Sequence, residues 1–173
     1  MASEPQAFRP ARYASIMDHD HRALAISTYN RCWEILDGDD LSDAVMDELV
    51  GCAFTSRHHW GIAGGLQEVV IGDWMIGRAA AEASISRPAV FGPLAWAFAM
   101  AAEETAFPER PDWLHASVAE GLARVATVLG DDALRAQWLG EATMRVAAIA
   151  DPDDRGHRRP TRRTPRERGP VTA

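Results

Sequence analysis

The chain contains no lysine; all 18 of its basic residues are arginine. Without a lysine amine there is no Schiff-base nucleophile and no phosphate-loop lysine. Pyridoxal-phosphate enzymes, lysine-dependent aldolases and Walker-type ATPases are thereby excluded. Alongside abundant Ala, Gly and Asp, an arginine-only cation set reads as coding bias from a GC-rich genome rather than selection for phosphate recognition. Cysteine is scarce as well. Cys32 and Cys52 are the only two, too few for a disulfide framework. There is no Gly-rich phosphate loop, no H-E-x-x-H, no CxxC and no G-x-S-x-G, and no motif asks for a cofactor. No apolar run is long enough to span a bilayer, and "MASEPQAFRP" lacks an apolar signal core. The expectation is a cytoplasmic protein in a reducing compartment.

What is present begins with an uneven charge. The whole chain carries −7. From Arg155 onward seven arginines stand against Glu167, a surplus of six positive charges, which leaves −13 on the rest. An acidic body with a basic tail does not suit specific nucleic-acid binding; the body favours a basic partner, and the tail could compete for the same surface. At 173 residues the chain is long enough for one well-packed domain.

Hydrophobic periodicity predicts six helices and no strand. They span roughly Asp20–Leu36, Ser42 to "GIAGG", Leu66–Ser84, Ala89–Thr105, Trp113–Leu129 and Asp132–Ala150. Ser42 suits an N-cap, as does Asp18 of "DHDH" if a helix starts there. Pro93 suits the start of the fourth helix. Short links between long helices favour antiparallel neighbours. The fold class expected is all-α: antiparallel hairpins in a bundle of about six helices. A flexible arm (1–16) would precede the helical domain (17–152), and an Arg/Pro-rich tail (153–173) too poor in large apolar residues to order itself would follow.

Two helix–link–helix units read alike: "GDWMIGRAAAEASISRPAVFGPLAWAFAMAAEE" and "AEGLARVATVLGDDALRAQWLGEATMRVAAIADP". Small residues stand where helices must approach: Gly77, Ala80, Ala97 and Ala101 in the first, Gly121, Ala123, Ala136 and Ala142 in the second. The second, with its "LGD" link and terminal "ADP", looks like a degenerate tetratricopeptide repeat. From about Ser56 to Arg155, through "RHHWGIAG", "GDW", "DW" before "AEGLAR", "GDD" and "IADPDDR", the chain resembles bacterial, largely actinobacterial, tetratricopeptide-like helical proteins without assigned function. Those proteins tend to keep a His-Trp pair, a downstream Trp and a Glu-x-x-x-Arg, which the resemblance puts on His59, Trp60, Trp74, Glu120 and Arg124. The chain departs at Trp96, where that group has histidine.

Helical spacing supplies candidates for chemistry. Glu48, Cys52, Ser56 and His59 make one polar stripe on the second helix. A Cys–His or Glu–His pair there could move a proton or hold a metal, with His59 and Cys52 the only candidate ligands; equally, Cys52 could be core and His59 a helix-end hydrogen bonder. His115 and the pair Glu120–Arg124 mark the fifth helix, Asp73 and Arg78 the third, as ion-pair formers or ligand contacts. The six tryptophans are core residues or pocket walls. Two readings follow. The first is a tetratricopeptide-like interaction or accessory protein that binds a peptide or protein partner. The second is a small-molecule binder or enzyme with a pocket between the second, third and fifth helices. There His59 and Glu120 would be catalytic, and Trp60, Trp74, Arg78, His115 and Arg124 would bind the ligand. Assembly as a homo-oligomer is compatible with either.

Overall fold

The computed structural model describes residues 11–107 and 110–151, with side chains from Asp20 onward. The arm's first ten residues and the tail from 152 lie outside the described residues. Six α-helices and no strand make up the described chain: α1 (Ala11–Asp37), α2 (Asp43–Ala63), α3 (Leu66–Ala83), α4 (Pro88–Glu104), α5 (Asp112–Leu129) and α6 (Asp132–Ala148). The all-α expectation holds. No described helix is long and apolar enough to cross a membrane.

Helix ends follow local chemistry, with three corrections. α1 reaches back to Ala11, into the stretch that apolar periodicity assigns to an arm, so Asp18 lies inside a helix rather than at its N-cap. "ARYASIMDH" contains no Gly or Pro to stop a helix, and that outweighs its weak apolar pattern. Ser42 occupies the N-cap of α2 without a side-chain cap bond; its own N–H is taken by Asp40 Oδ1 at 2.8 Å. α4 starts at Pro88 and runs through Pro93. The hydrogen bond that Pro93 cannot donate belongs to the first turn, where Ala89 is exposed to water. The link between α5 and α6 is the cleanest. Gly130 takes the left-handed conformation (φ 74°), Asp131 N–H returns to Ala126 O at 3.1 Å, and the Asp131 carboxylate accepts from Leu134 N–H at 2.9 Å. A glycine C′ and an aspartate N-cap thus close one helix and open the next.

Consecutive helices pack as neighbours throughout, and α3 also packs directly on α5. Close approach is set by a few small residues. A Cβ on Gly77 would stand 3.0 Å from Ala99 N and 3.3 Å from Ala95 O, so α3 and α4 meet backbone to backbone. The facing alanines are Ala95 and Ala99, not Ala97, which is exposed. Gly121 similarly makes room for Trp74, whose ring would lie 3.0 Å from an added Cβ. Leu49, Val70, Met75, Ile76, Leu114, Val118, Leu122 and Val125 fill the core between these helices. Since the odd-numbered helices α3 and α5 touch and Trp33 of α1 reaches Trp74 of α3 (ring centroids 6.0 Å), α1, α3 and α5 share an inner face.

Candidate functional site

The polar stripe of α2 is a seam against α1. Each member meets a residue of α1. Glu48 Oε1 accepts from Arg31 Nε at 2.7 Å. Cys52 lies near buried Cys32, close enough for its charge to oppose ionisation of the Cys32 thiol. Ser56, fully buried, donates its hydroxyl to Ala25 O at 2.9 Å. His59 Nδ1 lies 2.7 Å from His21 Nδ1. Burial, then the charge of Cys52, pushes the Cys32 thiol up to about 12. Burial, then the charge of Glu48, raises Cys52 as well. Both therefore stay protonated near neutral pH and are poor nucleophiles and ligands. His59 is shifted below its ordinary value by burial first, then by His21 and His58. Trp60, next in sequence, is buried and carries the guanidinium of Arg22 at 5.3 Å from its ring centroid. Among the described residues no three His, Cys, Asp or Glu side chains gather as a metal site would need.

His115 belongs to a second network. Nine residues from Arg124, it lies half a turn around α5 at about 100° per residue. It faces Arg110, Arg145, Glu103 and Asp112. Arg145 of α6 grips Glu103 of α4 with both terminal nitrogens (2.8 and 2.6 Å), donates Nε to Glu141 at 2.7 Å and reaches His115 O at 3.1 Å. Arg110 donates to Glu103 O and Thr105 O, both at 3.2 Å, satisfying the end of α4. The bidentate Arg145–Glu103 pair ties α6 to α4 as a helix clamp. Asp73, taken with Arg78 as an ion-pair former, instead meets Arg57 of α2 at 2.6 Å.

The remaining candidates come together on the inner face. Trp74 donates Nε1 to Ser117 O at 3.0 Å and leans on Trp33. Arg78 lies one turn further along α3. Its guanidinium carbon is 5.2 Å above the Trp33 ring centroid. It feels the charges of Arg124, Glu120, Glu82 and Tyr29. Glu120 and Arg124 are themselves an ion pair along α5. Arg78 is 6% exposed. Its Nε is sealed from solvent without a hydrogen bond, and no described ion pair or hydrogen bond includes Arg78. Burial, then the charge of Arg124, pushes it down to about 10, which leaves it charged at neutral pH.

Trp74, Arg78, Glu120 and Arg124 are thus brought together, while His59, Trp60 and Cys52 lie on the α1–α2 seam and His115 lies in the α4–α6 network. No described hydrogen bond, ion pair or ring contact joins His59 to Glu120. The third wall comes from α1 rather than α2. Sequence reasoning missed Tyr29 and Glu82 and gave Trp33 no role beyond its place among the six tryptophans. Two signals were available: Tyr29–Trp33 and Arg78–Glu82 are both spaced four apart on one helix face.

No family model matches the chain, and no match was found among curated proteins or solved structures.

Proposed function

We propose that this chain is a tetratricopeptide-like interaction module that receives a peptide or protein partner along the inner face of α1, α3 and α5. The observation that supports it is the meeting on that face of side chains suited to recognition: two tryptophans at 6.0 Å, a guanidinium over one of them, and the Glu120–Arg124 pair beside it. Tryptophan and arginine are the residue types that dominate binding hot spots. The enzyme reading requires His59 and Glu120 to act together, and each is engaged elsewhere, His59 with His21 and Glu120 with Arg124.

Site-specific photocrosslinking in cells tests the reading. A photoreactive residue at Tyr29, half-buried on the inner face, should capture one defined partner. The same residue at Met144, exposed on α6, should not. Equal capture at both positions, or none at Tyr29, sinks the proposal.

A further inference from the structure

An arginine side chain that is nine-tenths buried ordinarily has a carboxylate against it. The two other arginines buried this deeply follow that rule: Arg110 has Glu103 at 4.0 Å and Arg124 has Glu120. Arg78 is the exception. It is among the most buried cations of the described chain, yet no described carboxylate lies within ion-pair distance of its guanidinium, which stacks over Trp33 while Glu120 and Glu82 act on it from further away. Nε is shut away from water, whereas Nη1 and Nη2 are not among the sealed atoms. A buried charge with no hydrogen-bonded ion-pair partner is costly. A cation–π contact recovers only part of that cost.

We propose that Arg78 is the anchor of a binding site for a small planar monocarboxylate. The acid's two oxygens would meet the guanidinium edge, and its apolar part would lie against Trp33 and Trp74. The fork of a guanidinium matches a carboxylate in bidentate fashion. The guanidinium lies over the Trp33 ring, and tryptophan faces suit a flat apolar body. Charge selects the class of anion. Glu82 and Glu120 lie near enough to act on Arg78, and the body outside the tail is acidic. Arg78 and Arg124 balance Glu82 and Glu120, so a singly charged carboxylate paired with Arg78 adds one negative charge, whereas a doubly charged phosphate would add two beside both glutamates. Deep placement favours a small acid over a folded partner's surface carboxylate. The site goes beyond the partner-binding reading and stands whether or not a peptide lies along the same face.

The test uses the full chain and benzoate as probe. Benzamide serves as the neutral control of the same shape. Inorganic phosphate tests for a general anion patch, and N-acetylphenylalanine tests for a carboxylate carried on a peptide end. Binding is read by tryptophan fluorescence and by the shift in thermal midpoint. Saturable benzoate binding at about 10 mM or below is expected, with benzamide weaker by about tenfold or more. Arg78→Met should lose benzoate binding while its own thermal midpoint stays equal or rises. Arg78→Lys, which keeps the charge and loses the fork, should bind benzoate with intermediate affinity. If Arg78→Met fails to fold, Arg78→Lys with the benzoate-to-benzamide ratio carries the test alone, and an unchanged ratio overturns the proposal. It is likewise overturned if benzoate and benzamide act alike, if phosphate competes as well as benzoate, if only N-acetylphenylalanine binds, or if benzoate leaves the wild-type protein unaffected. Photocrosslinking at Tyr29 reports on the protein partner separately, so either conclusion can fail without the other.

Discussion

The seam between α1 and α2 and the inner face of α1, α3 and α5 use similar side chains and arrive at opposite states. In the seam every polar group of the α2 stripe meets a residue of α1: Glu48 with Arg31, Ser56 with Ala25 O, His59 with His21. On the inner face Trp74 is hydrogen-bonded and Glu120 is paired with Arg124, but Arg78 is buried with no described hydrogen bond or ion pair. A polar stripe by itself is therefore no mark of a site. What distinguishes the two regions is whether the fold completes the hydrogen bonding, because a buried polar group costs free energy only when it is left incomplete.

Overpacking each region should break the comparison most visibly. Ser56→Leu forces extra carbon into a fully buried position against α1 and should cost about 3 kcal/mol in urea denaturation. Gly121→Val on the inner face meets the Trp74 ring, displaces it from Ser117 O, and should cost about 2 kcal/mol. It should also alter tryptophan fluorescence, which Ser56→Leu should not. The sign reverses at Arg78. Arg78→Met removes a buried charge that has no ion-pair partner and keeps most of the volume, so stability should stay level or rise by about 1 kcal/mol. A loss of that size or more would make Arg78 a structural strut.

Acid should separate the seam from the inner face. The folded-state pKa of His59 lies below the ordinary 6.5, through burial and then His21 and His58. The unfolded chain therefore takes up this proton more readily. Stability is fully present above the ordinary value and falls as pH drops through it toward the folded value. His115, lowered by burial and then by Arg110 and Arg145, contributes with the same sign. The His21–His59 contact reinforces the trend, because only one Nδ1 can donate across 2.7 Å and protonating both sets two donors against each other. The thermal midpoint should be lower at about pH 5 than at about pH 7.5, and His59→Gln should flatten that difference. The smallest effect belongs to Glu48→Gln. Its partner Arg31 is solvent-exposed, and exposed pairs of this kind rarely register; a thermal midpoint indistinguishable from wild type is expected.

Much of the fold was legible because it depends on local signals. The 3.6-residue period and the "LGDD" link set α5 and α6 nearly to the residue. The early start of α1 was not, since helix propensity without a clear apolar stripe leaves little pattern to read. Of the candidate residues, Trp74, Arg78, Glu120 and Arg124 share a face as their helical spacing allowed. Spacing along a helix says which residues face the same way, but it does not say what they face. His59 and Glu120 illustrate this: both were legible as polar helix positions, and the fold gave each a different neighbour.

The sequence alone determined the helix count, the links, the helical class and the exclusion of lysine chemistry, since those follow from residue type and near-neighbour periodicity. Only tertiary packing decided which polar groups found partners. That outcome turns on Gly121 letting Trp74 close over α5 and on Trp33 arriving from α1 beneath Arg78, contacts between residues far apart in the chain that no local pattern encodes.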